Sequence, residues 1–384
     1  MLQVIHEPVA AALAYSAKEN LQPHDSVIVV ADFGGSRSDA TVIAIRGGMY
    51  TILATAHDYE LGGLQLDNVL VDHFAKEFLK RHKTDPRENA RGLAKLKAES
   101  EVVKKTLSIS TSASIGVDSL ADGFDFHSQV NRMRYELLGK KVFEDMANLV
   151  KTAVTKADLD LLDIDEVILA GGSSHTPKIA QRIAALFPES TPIQAPSRNP
   201  YCLNPSELSA IGAAIQSSLV SEYDPEDIEQ SLHPAVTVAP HISKDIGVSI
   251  TAADGTTSFH PLLFANTAIP ARKTAVFPAA AGDVVVRVAE GVREIVKTVV
   301  PKKEKASDAE DDSEEESEDE DEEIQTRVLK ADNVLAEAII KGVTAGQEIE
   351  VTVQVGADAA LNVAARVVGT QNGVRGTVKA PDSA

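Results

Sequence analysis

The sequence predicts an α/β domain followed by an all-β domain. Three observations carry that reading. Strand-like and helix-like segments alternate up to about residue 222. Beyond that point the signals are almost all β. Within the first part, two apolar strands each run into a glycine pair, Gly34–Gly35 and Gly171–Gly172.

Residues 26–31 form a continuous β-branched run, which suits a buried strand. "DATVIAI" and "MYTILATA" follow as strands around the turn "RGG". From Leu64 to about His82 the apolar residues Leu66, Val69, Leu70, Phe74 and Phe78 fall at helical spacing. Residues 87–108 predict a second helix, "ASIGVDS" and "FDFHSQV" a strand pair, and 132–156 one long helix. Residues 165–187 read as strand, glycine turn and helix, and Thr191–Gln194 as a short strand. A helix is expected over 204–219, with Asn204 as N-cap and Pro205 at its first position. "EYDPEDIEQSLHP" then reads as a linker. In "EIEVTVQV", Ile349, Val351, Val353 and Val355 alternate with polar residues, so one face is apolar and one wet.

The chain has 384 residues, enough for two or three domains. A single cysteine, Cys202, excludes an intramolecular disulfide and fits a reducing compartment. No His/Cys cluster has metal-ligand spacing, and no apolar run approaches a membrane span. The start "MLQVIHEPVAAALAY" lacks a basic n-region and does not read as a secretory signal. Of the net charge of −20, residues 304–323 hold −13, which leaves −7 for the rest. Such a block repels itself and is expected to be a disordered insert. The acidity speaks against broad nucleic-acid binding by the folded part.

In "DFGGSRSD", residues 32–39, the glycines allow a sharp turn whose N–H groups suit a phosphate. Asp32 and Asp39 could each hold Mg²⁺ through water. The competing reading is a plain hairpin turn. In "VILAGGSSHTPK", Gly171 and Gly172 lie at a helix start, a natural anion site. There the competing reading is close helix–strand packing. Together the two turns suit two sides of a nucleotide cleft. "GGSSH" lacks a nucleophile-elbow pattern, and "KRHK" at 80–83 reads as a solvated helix end.

"VIHEPVAAALAY", "VVADFGGSRSDATVIAI", "LGGLQLDNVLV", "EVVKKTLSIS", "VILAGGSSHTPKI" and "NPSELSAIGAAIQ" resemble, in order and spacing, the heat-shock seventy (DnaK-type) chaperone family. The resemblance is strong over residues 3–220. "KDIGVSI" and "NTAIPARKTAVF" extend it, more weakly, over 245–380. It implies an α/β actin-like (ribonuclease H-like) ATPase lobe followed by an all-β sandwich. The implied division is a remnant of a first lobe (1–20), the second lobe (21–222), a linker (223–243) and the sandwich (244–384). Within the family the chain is similar to atypical fungal, ribosome-associated members that pair with the J-domain protein zuotin. The acidic insert and the absence of a lid-like segment before Ala384 carry that likeness.

The resemblance implies ATP with Mg²⁺ as ligand. Glu7 and Asp32 match the family's catalytic-cleft acids, Asp32 and Asp39 its metal side. Gly34 and Gly35 match phosphate-contacting glycines. Glu101, Lys104, Lys105 and Ser108 match the helix bordering the adenosine, and Gly171, Gly172 and Ser173 the opposite turn. Several positions depart from the pattern. Ser36 replaces a glycine, Arg37 a threonine, His175 an arginine and Ser206 an aspartate. Leu64 and Gln65 replace two acids, and Lys105 stands for an arginine. An arginine can still neutralise phosphate, so binding with weak or no hydrolysis is expected. The family's first lobe has no counterpart before Met1, so a truncated chain with uncovered apolar surface on residues 1–20 is expected.

The expected function is that of a cytoplasmic chaperone or co-chaperone acting with a J-domain partner. Ribosome and nascent chains would be reached indirectly, without membrane or direct nucleic-acid contact. The alternatives are an ordinary ATP-driven folding chaperone and a scaffold that binds no nucleotide. A metabolic kinase of the same superfamily has no place for the β tail.

Overall fold

The apolar run of residues 26–31 becomes the middle of a sheet, buried on both faces. In this computed structural model β1 (Ser26–Phe33), β2 (Ser38–Arg46) and β3 (Met49–Asp58) are antiparallel neighbours. β4 (Ser112–Ala121) and β5 (Phe124–Asn131) form a separate hairpin. β6 (Glu166–Ala170) and β7 (Ile193–Gln194) join β1 in parallel, giving the order β3-β2-β1-β6-β7. The residues described are 3–18, 24–224, 226, 240–251, 257–300 and 322–379. They fall into two units, Met1–Val236 and Thr237–Ala384.

Side chains alternate across β1 and set what each face meets. Val27, Val29, Ala31 and Phe33 enter one core; Ile28 and Val30 enter another. The larger core is closed by α2 (Gly63–His82), α3 (Ala90–Ile109), α5 (Lys140–Lys156) and α6 (Pro177–Ala184). The short α4 (Arg132–Leu138) precedes α5. The opposite face is covered by α1 (Glu7–Lys18) and α7 (Leu208–Val220). The expectation of uncovered apolar surface on residues 1–20 therefore fails for the body of α1. Ala10, Ala11, Ala12, Ala14 and Tyr15 are buried against the sheet and α7, while Val4 remains 74% exposed. The Tyr15 hydroxyl also accepts the Leu203 N–H at 3.1 Å, which ties α1 to the loop before α7.

Two helix expectations are corrected. The single helix over 132–156 breaks at Gly139. A Cβ there would stand 2.9 Å from the Phe143 ring and 3.3 Å from Leu66, so close packing holds the break. The helix expected from Asn204 starts at Leu208. The Pro205 carbonyl instead accepts the Gly171 N–H at 3.0 Å, and the Asn204 side chain accepts Ser206 N–H. Residues 205–207 are thus drawn into a turn facing the second glycine pair.

The second unit is a sandwich. β8 (Ile246–Thr251), β9 (Thr257–Leu263), β10 (Ala271–Pro278), β11 (Gly282–Val300) and β12 (Glu322–Val343) come first. β13 (Glu348–Val355), β14 (Leu361–Val367) and β15 (Gly373–Val378) follow. Their sheets have the orders β12-β11-β8-β9 and β10-β13-β14-β15. Val248, Val286 and Ile340 of one sheet share a core with Val351, Val353 and Val363 of the other. The alternation read in "EIEVTVQV" holds, with Ile349, Val351, Val353 and Val355 buried. β11 and β12 stay paired out to Val300 and Glu322. Of the acidic block, residues 304–321 lie outside the described residues, as does most of the linker.

Candidate functional site

Adjacent strands put residues in register on one face of a sheet. Here one such row runs Ala170, Asp32, Asp39 and His57 across β6, β1, β2 and β3. Val30, Thr41 and Thr55 form the next row. Together they floor a cavity of about 700 Å³ whose wall is Ile5–Pro8, with Glu7 in the first turn of α1. Burial first, then Glu7 and Asp39, raises the proton affinity of Asp32, and Arg37 partly offsets this.

Arg37 also lines this cavity. Its Nε donates to Asp39 Oδ2 and its terminal nitrogen to Asp39 Oδ1, both at 2.6 Å. That is the two-pronged guanidinium–carboxylate fork. The guanidinium lies 5.4 Å from the Tyr59 ring centroid, and that ring is 4.9 Å from His57. His57 was missed by sequence reasoning. Its signal is its position opposite Asp39 in the β2–β3 hairpin, which only a known register reveals.

The turn "DFGGSRSD" is a hairpin turn, with Gly34 N–H donating to the Arg37 carbonyl at 3.0 Å. It is also a junction. The Gly34 carbonyl accepts Gly63 N–H at 3.0 Å and the Ser173 hydroxyl at 2.8 Å. The Gly35 carbonyl accepts Leu64 N–H at 2.8 Å. The turn thereby caps α2, which has no side-chain cap of its own. Gly171, at φ +80°, sits where a Cβ would come 2.3 Å from Asp32 Oδ1. The helix start expected at Gly171–Gly172 lies further on. A 3₁₀ turn, Gly172–His175, intervenes, and α6 begins at Pro177.

A second cavity, of about 650 Å³, lies beyond that junction. Glu101, Lys104, Lys105, Ser108 and Ile109 of α3 line one side; Gly172, Ser173, His175 and Ser206 line the other, with Gly35 at the rim. Its size is ordinary for a small-molecule site. Lys104 Nζ donates to Asp67 Oδ2 at 2.8 Å and to the Gly63 carbonyl at 3.0 Å. Asp67 is another missed residue, an acid on the buried stripe of α2. Burial raises its proton affinity, with Lys104 opposing. Lys105 pairs with Glu101 at 2.8 Å in solvent. His175 Nε2 and Ser206 Oγ, both departures from the family pattern, lie 3.3 Å apart.

The predicted site residues thus fall into two sets. Glu7, Asp32, Arg37 and Asp39 meet in one cavity. Gly35, Glu101, Lys104, Lys105, Ser108, Gly172, Ser173 and His175 meet in the other. Gly34 and Gly171 form the ridge of contacts beside them, and Ser36 is exposed and lines neither. A third cavity, about 1050 Å³ on the outer face of the β10-β13-β14-β15 sheet, holds none of them. Among the described residues no group of three or more His, Cys, Asp or Glu could hold a metal ion. No described helix is long and apolar enough to cross a membrane.

The second cavity has the volume of a small-molecule site and is lined by lysine, serine and histidine side chains from two sides. The first does not fit a resident divalent ion on Asp32 and Asp39. Both oxygens of Asp39 already accept from Arg37, which leaves Asp32 as one half-buried carboxylate of raised proton affinity.

An actin-like ATPase lobe and a β-sandwich are the two parts of one known class of chaperone. The Hsp70 protein family matches residues 1–303, and the chain belongs to that family. It is 45% identical to the "Ribosome-associated complex subunit SSZ1" of Saccharomyces cerevisiae, over 98% of this chain and 69% of that protein. It is 42% identical to a heat shock protein 70 homolog of Schizosaccharomyces pombe, over 95% of this chain and 64% of that protein. A heat shock 70 kDa protein of Neurospora crassa is 34% identical, over 77% of this chain and 44% of its own length. The Hsp70 family is one of nucleotide-binding ATPases.

Proposed function

We propose that this chain is a ribosome-associated Hsp70-type co-chaperone that binds ATP and turns it over weakly or not at all. It works in the cytoplasm in a complex with a J-domain partner, through which it reaches ribosome and nascent chains. The similarity to a ribosome-associated complex subunit over 98% of the chain supports work in a complex at the ribosome; the J-domain partner and the cytoplasm follow from the family resemblance. The presence of Arg37 in the cavity beside Glu7, Asp32 and Asp39 supports the weak turnover.

In this reading Glu101, Lys104, Lys105, Ser108, Gly172, Ser173 and His175 hold the nucleoside. Gly34, Gly35, Ser36 and Arg37 lie on the phosphate side. Mg²⁺ would, in the family, place the phosphates and neutralise their charge. Here Glu7 and Asp32 remain as the groups able to orient a water molecule or accept its proton. Arg37 stands beside them where the family has a threonine, so the water is poorly placed, and phosphoryl transfer depends on placement.

Two measurements test this. Single-turnover hydrolysis of ATP with a J-domain partner present should stay near background; brisk, partner-stimulated turnover would sink the weak-ATPase part and favour an ordinary folding chaperone. Sedimentation through sucrose should carry the chain with ribosomes only when the J-domain partner is present. Sedimentation with ribosomes in its absence would refute indirect association.

A further inference from the structure

The acid-lined cavity over β1, β2 and β3 contains a fixed cation of its own. Glu7, Asp32, Asp39, Arg37, His6 and His57 all face it. Three of these are carboxylates, so a polyphosphate entering the cavity needs positive charge there to be tolerated. A bridging divalent ion needs open carboxylate oxygens, and Asp39 has given both of its own to Arg37 at 2.6 Å.

Arg37 is also well placed for the task. Its carbonyl is fixed by Gly34 N–H at 3.0 Å, and the next residue, Ser38, is anchored through its hydroxyl to the Leu61 carbonyl at 2.8 Å. The backbone that follows the arginine is therefore held at two successive points. The side chain is 54% exposed, so it can turn from Asp39 toward a ligand without unpacking anything. Tyr59 gives the guanidinium a flat surface along which to move.

We propose that Arg37 takes the electrostatic place of a divalent cation in this cleft, so that its binding of ATP does not depend on Mg²⁺. This rests on the nucleotide reading above. Asp39 acts as the parking partner of Arg37 in the empty cleft and competes with phosphate for it. A guanidinium suits this role because it stays charged and binds phosphate oxygens in pairs.

The test is calorimetric titration of the full 384-residue chain with ATP in Mg²⁺ buffer and in EDTA, with adenosine as a phosphate-free control. The expected result is ATP binding that differs less than about twofold between the two buffers, and adenosine binding that does not change. Arg37→Thr should keep adenosine binding but weaken ATP in EDTA by about tenfold or more, because neither a guanidinium nor a metal ion then offsets Glu7, Asp32 and Asp39 in the cavity. Asp39→Asn should tighten ATP severalfold by releasing Arg37. Circular dichroism checks that both variants remain folded. Adenosine binding combined with wild-type ATP binding that falls tenfold or more in EDTA would overturn this inference alone. Failure of both adenosine and ATP to bind would overturn the nucleotide reading and this inference together.

Discussion

Gly212 of α7 and Ala10 of α1 meet backbone to backbone. A Cβ on residue 212 would stand 1.8 Å from the Ala10 carbonyl oxygen. Only glycine lets the two helices close over Ile28, Val30 and Ile168. Gly212→Ala should therefore lower stability by about 1–3 kcal/mol or more through overpacking, despite the better helix propensity of alanine. Urea unfolding of the variant beside wild type measures this. An unchanged midpoint would show that α1 is free to shift.

Lys104 and Asp67 form an ion pair at 2.8 Å with side chains only 14% and 8% exposed. Removing one partner leaves the other buried and uncompensated. Lys104→Met should cost about 3–5 kcal/mol, whereas Lys104→Met with Asp67→Leu should recover most of that loss. A double-mutant cycle on denaturant midpoints separates the pair from the single losses.

Asp32 predicts a pH dependence. Burial, then Glu7 and Asp39, raises its folded pKa above the ordinary 3.8, so the folded state binds the proton more tightly than the unfolded chain. A group of that sign removes stability as pH climbs from about 3.8 through its folded pKa, and the loss is complete above that value. Asp32→Asn should match wild type in strong acid and become the more stable of the two as pH rises toward neutrality. Parallel unfolding curves between pH 3 and 7, taken as differences, read this out.

Gly171 holds φ +80°, and a Cβ on it would come 2.3 Å from Asp32 Oδ1 and 2.5 Å from the Phe33 carbonyl. Gly171→Ala combines backbone strain with a clash. A stability loss of about 2–4 kcal/mol is expected, with ATP and adenosine binding both weakened. Thermal unfolding and calorimetric titration check the two effects separately. Loss of ATP binding alone, with full stability, would mean that the turn touches phosphate but does not support β1.

Much of this was legible in the sequence, for physical reasons. The β-branched run at 26–31 and the alternation at 349–355 are period signals, and both elements form where they were expected. The glycine pairs were readable as turns. What they do was not, because capping α2 through the Gly34 and Gly35 carbonyls requires knowing that residues 34–35 and 63–64 meet. The helix expected at Asn204 was drawn from a valid local pattern. A long-range bond from Gly171 N–H to the Pro205 carbonyl overrode it. The burial of α1 depended on Gly212, some 200 residues away in the chain, which no local pattern links to Ala10. His57 and Asp67 were missed for the same reason. Each matters through its neighbour on another element, Asp39 or Lys104.

The pairing of β11 and β12 to their very ends has a further consequence. Val300 and Glu322 are Cα partners, and from Gly291 opposite Ala331 to that last rung the register runs without an offset. A slip of one residue anywhere along this stretch would exchange the two faces of the ladder, so an insertion in one strand must be matched in the other or absorbed by a new bulge.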